Sequence, residues 1–120
     1  MHPKLKEVRA KILQYEDIED RVKALHNTFQ DETCYIATVG PSINEYSEEY
    51  LRDTLKDKLI ITVKQAYNLF RELSDFQVLS FANFNPYMYH SDETIVVLEV
   101  FEDYHPAQIL QNGFKVEIML

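Results

Sequence analysis

Cys34-Tyr35-Ile36-Ala37-Thr38-Val39, closed by Gly40-Pro41-Ser42 and answered further along by Leu59-Ile60-Ile61-Thr62-Val63, is the stretch from which the fold is read. Both apolar runs are short and rich in β-branched and aromatic residues, the composition of a buried strand. Between them Tyr46, Tyr50, Leu51 and Leu55 fall at helical spacing, and strand, helix, strand is the parallel unit with a crossover connection. The alternation continues downstream. Ala66, Leu69, Phe70 and Leu73 predict a second short helix, Gln77 to Ala82 and Thr94 to Phe101 two further strands, and 106–112 a last helix capped by Gly113 before the run Lys115 to Leu120. The expected class is α/β: a Rossmann-like, mainly parallel sheet with flanking helices, over residues 31–120.

Upstream, Leu5, Val8, Ile12, Tyr15, Ile18, Val22, Leu25 and Phe29 recur at spacings of three and four. Pro3 suits a first helical turn, so residues 1–30 predict one long amphipathic helix preceding the sheet, within a single structural domain. Its stripe, nearly heptad but slipping at Ile18, has two uses: packing on its own sheet, the expected one, or pairing with a second copy.

The chain has 120 residues, 46% of them hydrophobic, enough for one core. No stretch approaches a membrane span, the start of the chain lacks the apolar segment of a signal peptide, and Cys34 is the single cysteine. These features predict a cytoplasmic protein without a disulfide framework and make Cys34 a buried structural thiol. Residues 1–30 hold six Lys/Arg and five Asp/Glu; the remaining six basic and fifteen acidic side chains give the rest a net charge of −9. An acidic body repels a phosphate backbone, which excludes nucleic acid as the expected partner. With only two glycines, Gly40 and Gly113, neither familiar glycine-rich phosphate loop is present.

Ligands of open parallel sheets bind beyond the carboxyl ends of the strands. The loops there begin near Gly40, Lys64, Asn83 and Glu102, and the first is chemically the best equipped. Gly40 permits unusual torsions, Pro41 directs the chain away from the strand, and Ser42 with Glu45 fits a capping box, with Ser47 the alternative helix start. The Ser42 hydroxyl and the amides of Ser42, Ile43 and Asn44 are then candidate donors to a phosphate. Lys64, at the end of the second strand, supplies a cation. Asn83 and Asn85, flanking Phe84, are candidate contacts to a base or ribose.

The run Ile36-Ala37-Thr38-Val39-Gly40-Pro41-Ser42-Ile43-Asn44-Glu45, with Ile60-Ile61-Thr62-Val63-Lys64-Gln65-Ala66 behind it, resembles the nucleotide-binding half of the sialyltransferase-like and motility-accessory-factor-like glycosyltransferases. The resemblance covers roughly residues 34–90 and rests mainly on one short motif. It implies a Rossmann-like fold, a nucleotide sugar such as a CMP-sugar as substrate, and phosphate contacts from the Gly40-Pro41-Ser42 turn. Thr38-Val39 stands where those families carry Gly-Asn or Gly-Ala, and Lys64 where asparagine is common. No catalytic residue is assigned by it.

His90, Asp92 and Glu93, and Glu102, Asp103 and His105, are of metal-ligating or acid-base types, but neither group has a diagnostic spacing. They are read as solvated loop residues, with no metal site, and with His105 as the alternative general base. Two functions follow: a nucleotide or nucleotide-sugar binding domain resembling the donor half of a glycosyltransferase, inactive alone or glycosyltransferase-like; or a non-catalytic interaction or dimerisation module. Partners on these readings are a small nucleotide ligand and a homo-oligomer formed through the N-terminal helix or a sheet edge.

Overall fold

The computed structural model describes residues 1–38, 40, 44–80, 93–99 and 116–119. Its elements in chain order are α1 (Leu5–Ile12), α2 (Ile18–Ala24), β1 (Cys34–Ala37), α3 (Glu48–Leu55), β2 (Leu59–Val63), a 3-10 turn (Lys64–Ala66), α4 (Tyr67–Phe70), β3 (Phe76–Ser80), β4 (Ile95–Glu99) and β5 (Ile118–Met119). All neighbouring strands are parallel, and the order is β1-β2-β3-β4-β5. The α/β class and the parallel sheet are as expected. The order runs in one direction, without the reversal that makes a switch point in a doubly wound sheet. The helix expected over 106–112 lies outside the described residues.

The two connections that are described, α3 and α4, lie on one face of the sheet, as right-handed crossovers in a one-directional order require. The register identifies the two faces. Ile36, Ile61, Phe76 and Ile95 are mutual partners on one, and Tyr35, Ile60 and, one step on, Ala37, Thr62, Gln77 and Val96 occupy the other. The second face is covered by α3 and α4: Ile60 packs with Phe70 and Leu73, and with half-buried Ala37, Leu51 and Leu55. The first face is covered by the N-terminal segment, where Leu5, Val8 and Ile12 form a core with Ile95 and Ile118. Burying each of these three side chains contributes about 1.5–3 kcal/mol.

The long N-terminal helix is not formed. α1 ends at Ile12, and α2 begins after Asp17, whose carboxylate accepts the Glu19 N–H at 2.9 Å. An aspartate holding a non-helical cap outcompetes continuation of the helix. The break also lets both segments follow the sheet. Arg21 donates from Nε to the Tyr15 carbonyl and from Nη1 to the Glu117 carbonyl, each at 2.7 Å, tying α2 to the strand edge. Tyr15 and Val22, expected on the apolar stripe, are exposed.

β1 also departs from expectation. It is an edge strand whose Cys34, Tyr35 and Ile36 are exposed, so Cys34 is a surface residue and not a buried structural thiol. Strand periodicity reports how apolar a segment is, and β1 is as apolar as β2; only its place in the order decides that it has one neighbour.

Two buried carboxylates close the amino ends of the strands. Asp75, just before β3, accepts the His2 N–H at 2.7 Å through Oδ1 and the Ile60 N–H at 2.8 Å through Oδ2. Burial pushes its carboxyl above the ordinary range, against the pull of these two amides. Glu117, just before β5, accepts the Val96 N–H at 2.8 Å through Oε2 and Arg9 Nη2 at 3.2 Å through Oε1. Each carboxylate thus pairs one strand amide with a group from the N-terminal segment, which satisfies donors that would otherwise be buried alone.

Candidate functional site

β1 and β2 run side by side with Ala37 opposite Thr62, so the chain leaves both strands at the same end of the sheet, at Gly40 and at Lys64. Gly40 is half-buried; its φ lies outside the left-handed region, and a Cβ built on it would meet nothing within 4 Å. The freedom expected of Gly40 is therefore not used. Of the four described non-glycine residues with positive φ, Asn27, Asp31, Asp57 and Lys64, the one at this end of the sheet is Lys64, at φ 54°, exposed and in a conformation that costs on the order of 1 kcal/mol. Periodicity carries no signal for such a torsion.

Ser47, not Ser42, caps α3: its Oγ accepts the Tyr50 N–H at 3.1 Å, and the helix begins at Glu48. Of the two expected helix starts, α3 thus uses the alternative one, Ser47, with Asn44 ahead of it. Two serines stood ahead of the same apolar stripe, and the one adjacent to Glu48 and Glu49 captured the cap. Of the other predicted site residues, Pro41, Ser42, Ile43, Asn83 and Asn85 lie outside the described residues, as do His90, Asp92, Glu102, Asp103 and His105. Asn44 is described and exposed.

Asn44 opens onto a groove of about 500 Å³ between α3 and α4. Tyr46, Leu51 and Arg52 form one wall and Asn68, Leu69 and Arg71 the other, with Phe70 and Leu73 below. The volume is that of a small-molecule site, apolar at its base with convergent polar groups. At the mouth Tyr46 and Tyr50, both more than half exposed, stack with ring centroids 5.5 Å apart and planes inclined by 14°. The Arg71 guanidinium stands 5.8 Å from the centre of the buried Tyr67 ring. Arg52 lies 3.8 Å from Glu72 with both side chains largely exposed, a loose pair that costs little to open. Glu48 and Glu72 also line the groove and balance its cations.

The structure thus brings Gly40 and Lys64 to one end of the sheet and places Asn44 on the groove. Arg52, Asn68 and Arg71 are not singled out by the sequence, where exposed residues of these types are ordinary surface, and Tyr46 enters there only as part of an apolar stripe. The thiol of Cys34 is not an activated nucleophile: partial desolvation, with a smaller contribution from the Asp75 carboxylate, pushes it above its ordinary value. Among the described residues no three of His, Cys, Asp and Glu are grouped closely enough to hold a metal ion, and no helix is long and apolar enough to cross a membrane.

Fold and groove define an α/β protein with an all-parallel, singly ordered sheet and a small-molecule-sized cleft on its α3 and α4 face. No family model, curated protein or solved structure matches the chain.

Proposed function

We propose that this chain is a nucleotide or nucleotide-sugar binding domain, built on a parallel α/β sheet, resembling the donor-binding half of a glycosyltransferase and working in the cytoplasm. The observation that supports the reading is the groove between α3 and α4, which starts at Asn44, four residues after Gly40, and presents two arginines, two asparagines and Tyr46. On this reading the phosphates lie toward the ends of β1 and β2, near Gly40 and Lys64. The ring-bearing part of the ligand enters the groove, where Arg52 turns from Glu72 to the ligand and Tyr46 offers a flat face. The role is binding and positioning.

Calorimetric titration of the full chain with CMP, UMP, GDP and nucleotide sugars, with and without magnesium, tests it. Saturable binding is expected, weakened about tenfold or more in Arg52→Ala through loss of one charge-assisted contact. Heat changes absent for every nucleotide, or unaltered by Arg52→Ala and Lys64→Ala together, would remove both the ligand class and the site.

A further inference from the structure

We propose that two copies of this chain associate through β1, each strand pairing antiparallel with its counterpart about a two-fold axis perpendicular to the sheet. β1 pairs only with β2, so its other edge has no strand beside it among the described residues. The side chains along that edge are exposed: Tyr35 by 41% and Ile36 by 66%, the highest of the exposed large hydrophobics described. Natural edge strands are protected by charges, proline or bulges. From Thr33 to Gly40 there is neither a charged residue nor a proline, in a chain with 20 acidic and 12 basic side chains. This uncharged window is where two copies of net charge −8 meet with least repulsion.

The occupant is a second copy: among the described residues the chain's other apolar segments are already engaged, and β1 matches only itself in length. The apolar stripe of α1 is consumed on its own sheet by Ile95 and Ile118, leaving it no face for a partner. The far edge, β5, is two residues long and is tied down by Arg9 and Arg21 at Glu117. Head-to-tail pairing of β5 with β1 therefore finds no strand of matching length. Pairing of β1 with itself closes as an isologous dimer.

Charge selects the direction. Parallel pairing would set Asp31 and Glu32 beside their own counterparts; antiparallel pairing sends the two acidic flanks to opposite ends of the ribbon. A two-fold perpendicular to the sheet keeps each face on its own side, so only residues of the same face can oppose each other. Centring on Ile36, the most exposed member, sets Ile36 against Ile36, Tyr35 against Ala37 and Cys34 against Thr38. Large then meets small on the α3 face, and two isoleucines cover each other on the α1 face.

Sedimentation of the full chain across a range of concentrations is expected to give twice the 14.2 kDa chain mass, reverting to a single chain in Ile36→Lys with an unchanged circular dichroism spectrum. In a Cys34→Ser background, Ile36→Cys should cross-link on oxidation, since directly opposed Cβ atoms approach to about 4.5–5.5 Å. A wild-type mass of 14.2 kDa at every concentration, as when the edge serves a strand from another protein, overturns the proposal. So does a dimer that survives Ile36→Lys or that forms no cross-link at position 36.

Discussion

Gln77 lies fully buried on β3, flanked in register by Thr62 and Val96, and neither its Nε2 nor its Oε1 has a hydrogen-bond partner among the described residues. Its neighbours are better provided: Thr62 and Ser74 share a hydrogen bond of 2.8 Å between hydroxyls, and the Thr94 hydroxyl donates to the Ser74 carbonyl at 2.9 Å. An amide buried without a partner forfeits its hydration, on the order of 1–3 kcal/mol. Gln77→Leu is therefore expected to raise the urea midpoint by that much stability at an unchanged slope. A lowered midpoint would show that an ordered water or bound polar group completes the amide. Residue by residue, sequence reading was accurate where a side chain's own chemistry decides the outcome. Ser47 is one of the two caps expected, and Ile60 lies in a strand expected to be buried and is so; of the stripe Ala66, Leu69, Phe70 and Leu73, all but Leu69 are buried. The sequence carries no signal for the left-handed torsion of Lys64 or the exposure of Cys34, because torsion at a strand end and exposure of an edge are set by what lies alongside.

At the scale of elements, β2 occupies the predicted Leu59–Val63, and β3 and β4 fall within about a residue of their expected starts. Period and composition carry those assignments, since all three strands are central in the sheet. The N-terminal helix was mistaken because its stripe continues past Asp17; a local cap and two arginine-to-carbonyl bonds outweigh a pattern of apolar spacing. Besides the burial of Leu5, Val8 and Ile12, α1 is held by the Asp75 brace, which ties the His2 amide to the Ile60 amide of β2. Asp75→Asn keeps the size but replaces one accepting oxygen with a donor, leaving one buried N–H opposed. A loss of about 1–3 kcal/mol in thermal or urea unfolding is expected, and an unchanged midpoint would show that the brace is not needed.

Across the whole molecule, the N-terminal segment is fastened by a third carboxylate, whose pH behaviour is opposite to that of Asp75. Glu32 pairs with His2 Nε2 and, at 3.3 Å, with Lys4 Nζ, while His2 Nδ1 accepts the Lys4 N–H at 3.1 Å, leaving the ring proton on the nitrogen facing Glu32. The His2 hydrogen bond is the main cause that holds the Glu32 carboxyl below its ordinary value. A depressed folded-state pKa gives stability that is present above the unfolded value and is lost as pH falls through the folded one. Asp75, raised by burial, acts in reverse: its contribution is present below its unfolded value and fades as pH rises through the folded one. Urea midpoints measured from roughly pH 7 down to pH 3 should therefore converge between wild type and Glu32→Gln on the acid side. A gap independent of pH would show that Glu32 contributes through packing and not charge.

The sequence by itself determined the α/β class, the parallel crossovers, the central strands and the loop end at which Gly40 and Lys64 meet. These follow from local period, turn chemistry and the handedness of connections, which act within a few tens of residues. The tertiary structure alone decided the one-directional strand order, the exposure of β1, the folding of the N-terminal stripe as two helices on the free face, and the groove between α3 and α4. Each of these depends on which surfaces meet across the fold, and the free energy of burying one surface against another is a property of the pair, not of either segment.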